Sequence, residues 1–295
     1  MQASTLTSIA LPLSLALIMI GMGMSLVTDD FRRVLRYPRA VSVGLVGQLL
    51  LLPLLAFGLV WLFVVSPLLA VGFMIIAACP GGVTSNLFSH LARGDVALSV
   101  TLTAVTSLVT VFTIPLVVNG ALLAFGQEGA AFQLPVLKTI LQVALITLLP
   151  VAIGMFIRAR APGFAQRSQG TVKVVSMLFL ALLIVMIVLK EQAMIMANLS
   201  SLGPLVLGLN IATMALGWLI ARGSGLDDRQ AISIVIEVGI QNGTLAIVIA
   251  TALLQNAAMA IPAVIYSLLM FATAGAVVGW RNWTARSAAA PAAGA

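Results

Sequence analysis

The chain alternates between long apolar runs and short polar interruptions. Runs of about 20 or more apolar residues fall near 5–27, 40–63, 67–92, 95–119, 134–158, 171–190, 199–221, 228–254 and 259–281. About 20 residues is the length a helix needs to cross roughly 30 Å of hydrocarbon, so the pattern predicts an all-α polytopic membrane protein of nine transmembrane helices. Two runs are interrupted from within. The third contains Cys79, Pro80, Gly81 and Gly82, and the eighth contains Gly239, Ile240, Gln241, Asn242 and Gly243. Proline removes a helical donor, and paired glycines and amides are poor helix formers, so both runs are expected to unwind in mid-span.

Composition agrees with this reading. Of 295 residues, 61% are hydrophobic and only 15 basic and 8 acidic residues are present. A soluble domain of this size carries about three times that charge. The net charge of +7 is not gathered into a basic groove interleaved with aromatics, so nucleic acid is not an expected partner. One cysteine and one histidine supply neither an internal disulfide nor a zinc site. The charge does carry topology. With the N-terminus outside, thirteen of the fifteen basic residues fall in cytoplasmic segments, among them Arg32, Arg33, Arg36, Arg39, Arg93, Arg158, Arg160, Arg222, Arg229 and Arg281, and only Lys138 and Lys190 lie outside. An even number of spans would spoil that asymmetry. The chain is therefore expected to sit N-out and C-in in a bacterial inner (plasma) membrane, in contact with an anionic leaflet. Residues 1–7 hold no Lys or Arg, so the first run is expected to be a retained helix. Residues 1–286 are expected to form a single transporter domain and 287–295 a disordered tail.

Polar chemistry inside the spans is sparse, which makes it informative. Glu237 is the one acidic residue within an apolar run. A carboxylate at that depth needs a cation or a proton, and no Lys or Arg is placed to pair with it, so a mobile metal ion or proton is implied. The two interrupted runs also resemble each other. Gly82, Val83, Thr84, Ser85 and Asn86 align loosely with Gly239, Ile240, Gln241 and Asn242, and the preceding span carries one amide in each case, Gln48 and Asn210. Because the third and eighth spans run in opposite directions, this predicts an inverted-topology repeat (4+5), residues 1–119 against 134–286. Paired broken helices in two such halves point to a secondary transporter with midplane sites. In the fourth run Ser99, Thr103, Thr106, Thr110 and Thr113 recur at helical spacing and are expected to form one hydroxyl stripe.

The strings CPGGVTSN, LARGDVALSVTLT and IEVGIQNGTLA, in that order, resemble those of the bile acid:sodium symporter family. The likeness runs from Met22, Gly23 and Met24 to the ninth span. It implies a core domain and a panel domain, with two discontinuous helices crossing in the core, and a chain that keeps nine of the ten helices found in many bacterial members. It further implies two sodium ions. The first would be held by Ser85, Asn86, Ser99, Thr103 and Glu237. The second would be held by Gln48, Glu237, Val238, Ile240 and Gln241, with Val238 and Ile240 acting through carbonyls. Thr84, Asn242, Gly243 and Thr244, near the starts of half-helices, would face an anionic substrate. The chain departs from the family where Val83 follows the glycine pair and around Met270 and Phe271, which favours a small organic anion, such as a carboxylate, over bile acid itself.

The expected function is sodium-coupled symport of that anion by alternating access. The alternative on the same fold is a proton-coupled organic anion carrier or exporter, with Glu237 carrying the proton. An intramembrane enzyme is disfavoured: no Ser/His pair lies at depth, and Glu237 has no acidic partner for dyad chemistry. Oligomeric state has no signature in the chain.

Overall fold

The computed structural model describes residues 5–63, 65–126 and 134–289. Glu128 and most of the predicted tail fall outside them. The described residues are helical almost throughout: α1 (Thr5–Ser25), α2 (Thr28–Arg36), α3 (Pro38–Leu62), α4 (Pro67–Ala78), α5 (Val83–Leu91) and α6 (Val96–Phe125) in the first part of the chain. Then follow α7 (Val136–Arg160), α8 (Pro162–Lys190), α9 (Gln192–Gly223), α10 (Asp228–Gly239), α11 (Gly243–Leu253) and α12 (Ile261–Ala289). Among the described residues, five helices are long and apolar enough to cross a membrane: α3, α6, α7, α9 and α12. The segments Leu15–Ser25, α4 and α11 are shorter apolar helices.

Several boundaries differ from the sequence reading, most of all that of α8, which begins at Pro162, nine residues ahead of its expected start at 171. Helix α9 begins seven residues ahead of its expected start at 199, since Gln192, Ala193, Met194, Met196 and Ala197 after Glu191 are good helix formers. Helix α12 continues to Ala289, so Ser287, Ala288 and Ala289 extend it rather than opening the tail.

Capping residues set the turns that matter for the site. Asp95 caps α6 by accepting from Leu98 N at 3.1 Å, and Asp227 caps α10 by accepting from Gln230 N at 2.8 Å. The α5–α6 turn is tied to the start of α10: Asp95 N donates to Arg229 O (3.0 Å), and Ser233 Oγ donates to Asp95 O (2.8 Å). Near the middle of α3 the backbone widens into a π-helical turn over Gly47–Leu51, with Leu52 N bonded to Gly47 O. Pro53 explains it, because it offers no N–H to Leu49 O and its ring crowds that carbonyl.

Helix α1 packs chiefly against α7 and α8. Gly23 and Gly154 make that approach possible, since a Cβ on Gly23 would lie 2.1 Å from Val151 O and one on Gly154 2.1 Å from Ile20 O. Helices α4, α5, α6, α9, α10 and α12 pack on one another around the chain interruptions at 79–82 and 240–242. Residues 231–250 are buried without exception, whereas large apolar side chains on α3, α7 and α9, such as Leu54, Leu141 and Leu219, are exposed. That inversion of the usual surface suits hydrocarbon rather than water.

Candidate functional site

The two interruptions meet. Between α4 and α5 the chain is extended, with Cys79 at φ −72°, ψ 155° and Gly82 at φ −85°, ψ 154°. Ile240, between α10 and α11, is likewise extended. Gly82 N donates to Ile240 O at 3.0 Å, and Asn242 N donates to Pro80 O at 2.9 Å, forming one antiparallel bridge between Gly81 and Gln241. Two short stretches of non-helical backbone thus satisfy each other, which buried backbone at membrane depth requires. Gly82 thereby lies opposite Ile240 and Pro80 opposite Asn242, and the two-fold that exchanges the two bonds equates Gly82 with Asn242, three residues away from the looser alignment of Gly82 with Gly239 that the sequence suggests.

Glu237, 1% exposed, lies one turn before the second interruption. Its carboxylate accepts from Thr103 Oγ1 (2.6 Å), Ser85 Oγ (2.7 Å) and Ser99 Oγ (3.0 Å). Three donors from two other helices is the arrangement a buried carboxylate needs. Among the described residues Glu237 has no Lys or Arg partner. Gly81 is required beside it, because a Cβ there would fall 2.1 Å from Oε1 of Glu237. Asn86 joins the same group: its Oδ1 accepts from Ser99 Oγ at 2.9 Å. Ser85, Asn86, Ser99, Thr103 and Glu237, spread over α5, α6 and α10, therefore form one connected cluster of oxygens.

Gln48, Val238, Ile240 and Gln241 make a second group on the other side of the bridge. Gln48 Nε2 donates to Gln241 Oε1 (2.7 Å) and to Cys79 O (3.0 Å), while Gln241 Nε2 donates to Val238 O (2.8 Å). The π-helical turn of α3 contains Gln48 itself. The carbonyls of Val238 and Ile240 each receive one donor, from Gln241 and from Gly82, and each keeps a second lone pair.

A cavity of about 650 Å³ opens between α1 and α8 on one side and the crossing on the other. Thr84, Asn242, Gly243 and Thr244 all line it, with Gln241 and Gly82 beside them. Apart from Ser25, its remaining wall is apolar and includes Met22, Phe88, Ile184, Val83, Met270 and Phe271. Among the described residues, none that lines it carries a charged side chain. Asn242 also caps α11, its Oδ1 accepting from Leu245 N at 3.0 Å. Gly243 is forced by Ser267, whose Oγ would lie 1.8 Å from a Cβ at 243.

The hydroxyl stripe of α6 divides. Ser99 and Thr103 reach Glu237, but Thr106 and Thr110 bond to carbonyls of their own helix, at Thr103 O and Ser107 O. They follow the local back-bonding habit of Ser and Thr rather than serving the site. Two participants, Ser89 and Tyr266, escape the sequence reading, which marks Asn210 as a mid-span amide but gives it no role. Ser89 is fully buried and donates to Ser99 Oγ at 3.1 Å. Tyr266 and Asn210 close on Gly239 O, as set out below. One signal for Tyr266 was available, since a phenol in an apolar run needs a hydrogen-bond partner. Among the described residues no three His, Cys, Asp or Glu side chains gather in the manner of a transition-metal site. The oxygen-only donor set suits a hard cation instead.

Comparison with known proteins agrees with the geometry. A profile described as the Sodium Bile acid symporter family matches residues 12–198, more than half of the chain. The chain belongs to the sodium bile acid symporter family. It is 31% identical over 249 residues to the ileal sodium/bile acid cotransporter of Homo sapiens, covering 81% of this chain and 68% of that protein. Over 276 residues it is 29% identical to the probable sodium/metabolite cotransporter BASS2, chloroplastic, of Oryza sativa subsp. japonica, covering 91% of this chain and 63% of that protein. The sodium-dependent transporter YocS of Bacillus subtilis (strain 168) is 29% identical over 256 residues, covering 86% of this chain and 77% of that protein. The chain thus spans a little under two thirds of the rice protein's length. Like other members of the symporter family, it is an integral membrane protein built of apolar helices.

Proposed function

We propose that this protein is a sodium-coupled symporter of an organic anion, working by alternating access through nine spans in two inverted repeats. Glu237 carries the reading: a fully buried carboxylate, held by three hydroxyls and facing no fixed cation among the described residues, is suited to a mobile one. Ser85, Asn86, Ser99, Thr103 and Glu237 bind one co-transported sodium ion. Gln48, Glu237, Gln241 and the carbonyls of Val238 and Ile240 bind a second. One carboxylate between two ions offsets part of both charges.

The antiparallel bridge supports the repeat, because its two hydrogen bonds exchange under a two-fold rotation that carries Gly82 onto Asn242 and Pro80 onto Ile240. Helices α1, α7 and α8 act as the panel, and the helices around the crossing act as the core. The cavity between them receives the anion. Its acidic group approaches Thr84, Asn242, Gly243 and Thr244, where α5 and α11 begin and the positive ends of the helix dipoles favour negative charge. An apolar body on the substrate fits the apolar remainder of the wall. Rocking of core against panel then exposes the site to each side in turn. The protein is placed in a bacterial inner membrane, N-terminus outside and C-terminus in the cytoplasm.

The test is the thermal stability of the purified protein in sodium against potassium at matched ionic strength, with a panel of small carboxylates and one bile salt. A rise specific to sodium and enlarged by one anion is expected, because ligands that bind only the folded state stabilise it in proportion to the logarithm of their saturation. A response to pH with no response to sodium would favour proton coupling instead.

A further inference from the structure

Asn210, on α9, is fully buried and takes no part in either oxygen cluster described above. Its Nδ2 donates to Gly239 O at 2.7 Å and to Tyr266 OH at 2.9 Å, and Tyr266 OH donates to the same Gly239 O at 3.1 Å. The three groups close a triangle on the last carbonyl of α10, which the helix itself leaves without a partner. The amide orientation is fixed by this arrangement, since Gly239 O can only accept. In consequence Asn210 Oδ1 is buried and, among the described residues, meets no donor. Buried polar atoms are rarely left so, and one that is left so beside a functional site calls for a role that outweighs it.

The opposite face of the crossing carries the same device. The two-fold that exchanges the bridge's two hydrogen bonds relates Gly81 to Gln241, Gly82 to Asn242 and Pro80 to Ile240, so the next residues back are Cys79 and Gly239. Gln48, on the helix preceding α4, donates to Cys79 O at 3.0 Å. Asn210, on the helix preceding α10, donates to Gly239 O. Each half of the chain thus fastens the carbonyl at the start of its own interruption with a side-chain amide from the preceding helix. Only the second fastening has a phenol added to it.

We propose that Asn210 and Tyr266 are positioning residues that clamp the Gly239 carbonyl and thereby hold the neighbouring Val238 and Ile240 carbonyls in the orientation that binds sodium. The proposal rests on the two-ion reading above and adds residues that touch neither ion nor anion. The peptide planes on either side of Gly239 contain the Val238 and Gly239 carbonyls, so fixing Gly239 O removes freedom from the backbone between Glu237 and Ile240. Loss of the clamp leaves the carbonyls free to turn before the ion arrives, and sodium affinity falls while the anion cavity keeps its walls.

The experiment measures the sodium concentration for half-maximal thermal stabilisation, and for half-maximal uptake of the best anion, in wild type, Asn210→Ala, Tyr266→Phe and the double variant. Thr147→Val serves as a control, because Thr147 is equally buried but bonds only within α7. Tyr266→Phe keeps the packing and is expected to raise the sodium requirement about fivefold, the effect of one neutral hydrogen bond. Asn210→Ala is expected to raise it about tenfold or more, and the double variant to be close to Asn210→Ala, since both groups act on one carbonyl. The anion concentration for half-saturation, measured in saturating sodium, stays within about twofold of wild type. If both variants melt earlier without sodium but keep the wild-type sodium midpoint, the residues are merely structural and the proposal is overturned. If wild type itself shows no response to sodium, the two-ion reading fails and the clamp fails with it.

Discussion

Replacing Glu237 by Gln separates what the carboxylate does for the fold from what it does for the ions. The side chain keeps its length, so packing around 231–250 is preserved, and the change removes one buried charge. With the Gln oxygen accepting from Ser85 and Ser99 and its NH2 donating to Thr103, whose hydroxyl turns to Ser99 O, each of the three bonds becomes neutral, falling from about 1.5–3 to about 0.5–1.5 kcal/mol, a combined loss of about 3–5 kcal/mol. Against that, the effective cost of burying a charge is itself several kcal/mol and disappears with it. The two changes nearly cancel, so Glu237→Gln should fold and melt within a few degrees of wild type in potassium. The sodium increment behaves differently. At a hundredfold excess over its dissociation constant, an ion binding one site adds about 2.7 kcal/mol, on the order of 5 °C in midpoint. In Glu237→Gln that increment should vanish, because both groups of oxygens lose their only formal negative charge. The assay is a paired melt in sodium and potassium chloride at equal ionic strength. A full sodium increment in Glu237→Gln would refute the reasoning, whatever happened to transport.

Three further outcomes are expected. Gly81→Ala places a methyl group against Glu237 Oε1 and should cost about 1–3 kcal/mol of stability in a chemical melt while weakening sodium binding; unchanged stability would contradict the packing at the crossing. Asn86→Ala and Gln241→Ala should each raise the sodium requirement for uptake about tenfold with little change in the anion requirement, while a defect in the anion requirement alone would move those residues into the cavity. A single cysteine near the N-terminus, in a Cys79→Ala background, should react with a membrane-impermeant reagent from outside, and labelling only from the inside would overturn the nine-span topology.

Local chemistry was legible in the sequence, and relations between distant segments largely were not. Pro80 with Gly81 and Gly82 marks one interruption because each residue disfavours helix by its own backbone. Ser99 and Thr103 announce their shared face through a spacing of four. Glu237 stands out by the cost of a charge at its depth. By contrast, the register in which Gly81 meets Gln241 depends on how two segments about 160 residues apart cross, which similarity between short strings does not fix. The split of the α6 stripe, with Thr106 and Thr110 turned to their own helix, depends on which neighbour reaches each hydroxyl. Asn210 could be flagged as a mid-span amide, yet its attachment to Gly239 and Tyr266 arises from tertiary packing alone. The widened turn that contains Gln48 had a local cause in Pro53, five residues on, but proline kinks helices in several ways and the sequence does not choose among them.

The central claim is that an inward sodium gradient drives the anion. It is tested most directly by uptake of labelled small carboxylates and one bile salt into proteoliposomes, with sodium outside, potassium inside and the membrane potential clamped. The account predicts accumulation of at least one anion that requires the sodium gradient, collapses with a sodium ionophore and persists with a proton ionophore. Accumulation that follows a proton gradient and ignores sodium would contradict it.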